Sequence, residues 1–153
     1  MRLTSKVALV SGGAGGIGEA VARRFAAEGA HVGIGDVDEA RVQALAAELC
    51  ADGASVMAFA LDVTQAEQWR AAVAAMLAAH GRLDILVNNA GVYQRRGLED
   101  ISEEDWDLIM DVNAKGVFLG AQAVVQAMRN GGGGAIVNIS STAGIRASLS
   151  THY

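Results

Sequence analysis

Residues 11–18 read Ser-Gly-Gly-Ala-Gly-Gly-Ile-Gly, with five glycines in eight positions. An apolar run, "KVALVS" (6–11), precedes them, and Ile17, Val21 and Phe25 then recur every four residues. A glycine turn between a strand and a helix suits the binding of a diphosphate. Glycines let the backbone come close to the ligand, and the free N–H groups and dipole of the helix start attract its charge. Two spacings fit: Gly13, Gly15 and Gly18 as G-x-G-x-x-G, or Gly12, Gly16 and Gly18 as G-x-x-x-G-x-G. A purely structural tight turn is the plain alternative. Asp36 favours the nucleotide reading. It ends the second apolar run, 18 residues past Gly18, where a carboxylate can accept hydrogen bonds from an adenosine ribose. The same charge repels a 2′-phosphate, and the next residues, Val37 and Asp38, are not cationic. The expected cofactor is therefore NAD in preference to NADP. Asp36 could instead cap the following helix, a role open equally to Asp38.

The elements that must hold these residues are legible as alternating patterns. "KVALVS" (6–11), "HVGIGD" (31–36), "SVMAFALDV" (55–63), "LDILVNN" (83–89) and "AIVNIS" (135–140) read as strands. Between them, Val42, Leu45, Ala46 and Leu49 trace one helical face, as do Trp69, Val73, Met76 and Leu77 before a stop at Gly81. Ser102 followed by Asp105 resembles a helix start, and Leu108, Val112, Leu119, Val124 and Met128 then belong to one long helix ended by the glycines 131–134. The strands are too apolar to have a wet face, which predicts an α/β fold: a doubly wound, Rossmann-like parallel sheet with helices on both faces. No repeat, linker or second domain interrupts 1–153.

Composition narrows the function classes. The chain has 153 residues and a net charge of −5, which argues against non-specific nucleic-acid binding. The short apolar run at 7–10 is no secretory signal, and no stretch approaches the roughly 20 apolar residues of a membrane span, so a cytoplasmic protein is expected. Cys50 is the only cysteine, expected as a small packing residue. No His/Asp/Glu grouping has metal-ligand spacing. Trp69 and Trp106 are expected to pack. His80, at a helix end, is placed favourably for a cation.

Four further stretches complete a pattern: "LDV" (61–63), "NNAG" (88–91), Asn113 in "DVNAKGVF", and "NISS" (138–141) with Tyr153 twelve residues after Ser141. Together with Gly12, Gly16 and Gly18, in this order along the whole chain, they resemble the short-chain dehydrogenase/reductase family. The resemblance implies an NAD-dependent oxidoreductase that moves a hydride between a nicotinamide and a secondary alcohol or ketone. It implies that Gly12, Gly15, Gly16, Ile17 and Gly18 hold the diphosphate, Asp36 the ribose, and Asp62 and Val63 the adenine. Asn89, Ala90 and Gly91 would border the cofactor passage, while Asn88 ties strands together. Asn113, Ser141 and Tyr153 match members of the family's catalytic set. Tyr153 would exchange the substrate proton, Ser141 would hold the substrate oxygen, and Asn113 would interrupt regular helix bonding and anchor a relay water. Ser140 is the rival to Ser141. The resemblance also implies subunit pairing through the helix around 105–129, in a homodimer or homotetramer.

The family pattern continues Tyr-x-x-x-Lys, and its lysine would fall four residues past Tyr153. A free tyrosine, with pKa about 10, is only on the order of 0.1% phenolate at neutral pH, so a neighbouring ammonium matters. Lys115 matches a different family position. The apolar strand 135–140 would also lie bare at a sheet edge. The expectation is an active parent enzyme that continues past 153, with this piece alone inactive. A non-catalytic nucleotide-binding module is the alternative. Arg95 and Arg96 could meet an anionic substrate or form a solvated pair, and His152 reads as surface or cleft lining.

Overall fold

The computed structural model describes residues 1–95 and 97–142. Five strands form one sheet: β1 (Val7–Ser11), β2 (His31–Asp36), β3 (Ser55–Ala60), β4 (Ile85–Asn88) and β5 (Ala135–Asn138). Five α-helices connect them: α1 (Gly16–Ala27), α2 (Glu39–Ala51), α3 (Ala66–His80), α4 (Glu103–Met110) and α5 (Gly116–Asn130). The strand order is β3-β2-β1-β4-β5, and every pairing is parallel. Successive strands spread first to one side of β1 and then to the other. The reversal between β1 and β4 opens a crevice beyond their carboxyl ends.

Alternation along the strands divides the core into two layers. Val7, Leu9 and Leu86 face Trp69, Met76, Val124 and Met128 on α3 and α5. Val10, Val32, Ile34 and Val87 face Ala22 on α1 and Val42, Leu45 and Leu49 on α2. Trp69 is fully buried, and its indole N–H donates to the Val63 carbonyl at 3.0 Å. Helix boundaries follow local chemistry. Asp38, not Asp36, caps α2 by accepting from the Arg41 N–H at 3.1 Å. Gly81 closes α3 in the left-handed conformation, at φ 73°. Ser102 and Asp105 form a reciprocal capping box at the start of α4.

The structure departs from the sequence reading in several places. β3 ends at Ala60 rather than at 63, because the Asp62 carboxylate turns the chain by accepting from the Thr64 N–H (2.9 Å) and hydroxyl (2.7 Å). The helical run from Glu103 to Asn130 is continuous but not regular: residues Asp111–Lys115 form a π-helical turn between α4 and α5. The same run contains an apolar window with mean hydropathy 1.3, long enough to cross a membrane by length and composition, although its Val124 and Met128 are buried in the same core layer as Trp69. β5 is exposed along its length among the described residues. Trp106 is 60% exposed and Cys50 is also exposed, so neither is a packing residue here.

The amino end of the sheet is held by charge. The Asp84 carboxylate accepts from the Val7 N–H at 2.9 Å, hydrogen-bonds Arg82, and lies 3.6 Å from Lys6 Nζ. Burial pushes the Asp84 carboxyl upward, but Arg82, the Val7 N–H and Lys6 together outweigh it and hold the group below the usual carboxylate range. Beside this cluster, His31 and His80 stack with ring centroids 4.4 Å apart. Burial, and then the neighbouring His31, lower the pKa of His80, so its position at a helix end does not make it a ready cation.

Candidate nucleotide-binding cleft

Every strand from β1 to β4 ends at one crevice, a cleft of about 460 Å³, within the usual size of small-molecule sites. Gly12 and Gly15 enter it from the turn after β1, Asp36 from the end of β2, Asp62 and Val63 from beyond β3, and Asn89, Ala90 and Gly91 from beyond β4. Eight of the sequence-predicted binding residues therefore share one concave surface.

The glycine turn is shaped by close backbone contacts. Gly12 has φ 66°, and a Cβ on it would lie 2.7 Å from the Ala90 Cα. Gly18 packs against the turn itself, and a Cβ there would overlap the Gly12 carbonyl oxygen. Gly16 has φ 54° with open space around it, and Ile17 is 60% exposed in the first turn of α1. Gly16, Ile17 and Gly18 shape or extend the turn and do not line the cleft.

Side chains fix the turn to β4. The Asn89 amide donates to the carbonyls of Ser11 (3.1 Å) and Gly12 (3.0 Å). The buried Ser11 hydroxyl accepts from the N–H groups of Asn89 (3.1 Å) and Ala90 (3.2 Å). Asn88 works below the site, donating to Asn138 Oδ1 at 2.9 Å and to the Val117 carbonyl at 3.3 Å, and so ties β4 to β5 and α5. Asp36 spans the other wall. Its Oδ2 accepts from the Ala14 N–H and its Oδ1 from the Asp38 N–H, both at 3.1 Å.

Asn113 sits at the centre of the π-helical turn, where regular helix bonding is indeed interrupted. Its Oδ1 accepts from the Val92 N–H at 2.8 Å and its Nδ2 donates to the Val92 carbonyl at 2.7 Å. The amide thus clamps the segment after Gly91, which borders the cleft. Ser141 lies three residues past Asn138, beyond the carboxyl end of β5 and at the same end of the sheet. Tyr153, His152 and Arg96 lie outside the described residues. Arg95 is placed 5.7 Å from the Tyr93 ring centroid.

Among the residues of the site that escaped the sequence reading are Ser11 and Arg41. Ser11 had a visible signal, a hydroxyl closing an apolar strand just before the glycines. Arg41 also lines the cleft. It lies in the first turn of α2, five residues past Asp36.

A search for relatives agrees with this geometry. Residues 6–153 match the family described as short chain dehydrogenase. A 3-alpha-(or 20-beta)-hydroxysteroid dehydrogenase of Mycobacterium tuberculosis is 48% identical over 99% of the chain, which spans 57% of that protein. A D-threitol dehydrogenase of Mycolicibacterium smegmatis is 46% identical over 93% of the chain and 55% of its own length. A cyclopentanol dehydrogenase of Comamonas testosteroni is 42% identical, over 94% and 58%. Among solved structures, a short-chain type dehydrogenase/reductase from Mycobacterium marinum superposes with TM-score 0.92 at 35% identity, covering 97% of this chain and 60% of that one.

Proposed function

The chain belongs to the short-chain dehydrogenase/reductase family, and on that premise we propose that it forms the cofactor-binding part of an NAD-preferring enzyme acting on a secondary alcohol or its ketone. One observation carries the reading. The glycine turn, Asp36 and residues Asn89 to Gly91 meet in a single cleft at the switch between β1 and β4. The residues fit a dinucleotide: Gly12 and Gly18 admit no Cβ without a clash, so the turn stays tight against β4 and leads directly into the start of α1, where a helix N-terminus favours a diphosphate.

In this reading Gly12, Gly15, Gly16, Ile17 and Gly18 hold the diphosphate, Asp36 the adenosine ribose, and Asp62 and Val63 the adenine. Asn89, Ala90 and Gly91 form the passage toward the nicotinamide. When bound, the nicotinamide accepts or supplies the hydride. The chain's own task is then the proton and the oxygen. Ser141 hydrogen-bonds the substrate oxygen, and Tyr153 takes the hydroxyl proton as the carbonyl forms, or returns it in the reverse direction. Asn113 holds the loop at Val92 and anchors the relay water.

The proposed substrate class is supported by the relatives, whose names specify a hydroxysteroid, threitol and cyclopentanol. All three carry a secondary hydroxyl. The apolar face of α4 and α5, with Trp106 60% and Phe118 59% exposed, supports pairing of subunits in a homodimer or homotetramer.

The test uses the intact protein that contains this chain. Titrating NAD against intrinsic fluorescence should show saturable binding, and adding cyclopentanol or a hydroxysteroid should produce reduced cofactor absorbance. Binding without turnover of any secondary alcohol would leave a nucleotide-binding module. No binding of either dinucleotide would overturn the reading altogether.

A further inference from the structure

The chain holds five asparagines, at 88, 89, 113, 130 and 138, and only Asn130 is followed by glycine. Asn88, Asn89, Asn113 and Asn138 tie strands and loops together. Asn130 is placed differently. It is the last residue of α5, it is exposed, and it leads into four glycines. A glycine carries no Cβ to shield its nitrogen, so the Gly131 nitrogen can approach the Asn130 side chain.

Two contacts bear on that approach. The Gln126 side-chain amide, one turn back on α5, donates to Asn130 Oδ1 at 2.9 Å. It polarises the Cγ carbonyl and would stabilise the negative charge that grows on Oδ1 when a nucleophile adds. The Gly131 N–H donates to the Ala127 carbonyl at 3.0 Å. That bond belongs to the last helical turn, and helix ends open at little cost in free energy. We propose that Asn130 is a self-modification site, converted through a cyclic imide with Gly131 into aspartate and isoaspartate, and that the Gln126 amide promotes the reaction.

The step consumes only water. The Gly131 nitrogen bonds to Asn130 Cγ, the Cγ–Nδ2 bond breaks, and Nδ2 leaves as ammonia with the Gly131 proton. Water then opens the imide on either side. Opening at Cγ gives aspartate, and opening at the Asn130 backbone carbonyl gives isoaspartate, with one more methylene in the main chain. Either product places a negative charge at the carboxyl end of α5, where the helix dipole opposes it. The longer chain falls between Met128, whose carbonyl accepts from the Gly133 N–H at 2.8 Å, and β5, whose Ala135 N–H donates to the Asp84 carbonyl at 2.8 Å. The inference is independent of the nucleotide reading.

The intact protein and its Gly131→Ala and Gln126→Ala variants are incubated at mildly alkaline pH. Peptide mapping by mass spectrometry follows the amide-to-acid conversion, and enzymatic methylation detects isoaspartate. Alanine fits at 131: the backbone there has φ −82°, and a Cβ would lie 3.4 Å from the Ala127 carbonyl oxygen, an ordinary contact. Asn130 should convert at least tenfold faster than Asn89 or Asn113 in the same sample, giving both products. Gly131→Ala should slow it at least tenfold with unchanged far-ultraviolet circular dichroism, and Gln126→Ala at least twofold. Conversion at Asn130 no faster than at the other two overturns the proposal, as does an unchanged rate in Gly131→Ala. Aspartate without isoaspartate means direct hydrolysis and overturns the cyclic route. An unchanged or faster rate in Gln126→Ala overturns the promoted site.

Discussion

At the scale of single residues, the cleft depends on atoms that are absent as much as on atoms that are present. Gly18 lies where a methyl group would meet the Gly12 carbonyl oxygen, and a backbone oxygen cannot rotate away as a side-chain tip can. Gly18→Ala is therefore expected to destabilise the fold by about 1–3 kcal/mol, as overpacking does, and to weaken NAD binding at least tenfold. Urea unfolding and a fluorescence titration on the same sample check both. Unchanged stability and affinity would show that the turn has another shape. The glycines could be read from sequence because their spacing carries the signal. Ser11 showed in the sequence as a hydroxyl closing an apolar strand, but its partners did not. Its hydroxyl serves Asn89 and Ala90, 78 and 79 residues away, and nothing local announces that partnership. Arg41 escaped for a related reason: a helix returns a side chain to the cleft three residues after its cap, a placement that adjacency along the chain does not reveal.

At the scale of elements, strands and helices were legible wherever hydrophobic periodicity was clean, and less so where a polar side chain overrides it. The end of β3 was misplaced because "LDV" continues an apolar run, yet Asp62 folds back on Thr64. The end of α3 shows a second kind of override. From sequence, His80 reads as a cation at a helix end, whereas its burial and its stacking on His31 favour the neutral ring. A histidine whose pKa is lowered in the folded state stabilises the fold above its unfolded pKa of about 6.5. That stability is lost as the pH falls toward the folded value, with a slope of at most about 1.4 kcal/mol per pH unit for one proton. The unfolding midpoint should therefore drop as the pH falls below about 6.5, and His80→Gln should flatten that part of the profile. A variant with the same slope as the parent protein would place the titration elsewhere.

At the scale of the whole molecule, the chain spans 57% of the length of its hydroxysteroid dehydrogenase relative, and its described surface carries apolar area on β5, α4 and α5. Ile136, Val137 and Ile139 are each more than a third exposed, as are Trp106, Leu108, Met110 and Phe118. If α5 pairs subunits, Phe118→Glu should shift the intact protein toward smaller species, measured as a lower mass by light scattering behind size-exclusion chromatography, while its far-ultraviolet circular dichroism stays the same. An unchanged mass would remove α5 from the interface. The arrangement of these surfaces was not readable from the sequence, since one continuous period was assumed from Leu108 to Met128. The π turn at Asp111–Lys115 acts as a phase shifter between them. Each residue of an α-helix advances the azimuth by about 100°, so the additional residue in this wide turn re-aims all that follows it. The outward Trp106 before the turn and the inward Val124–Met128 stripe after it are thus two sectors of one rod, set apart in angle by a single-residue slip in winding.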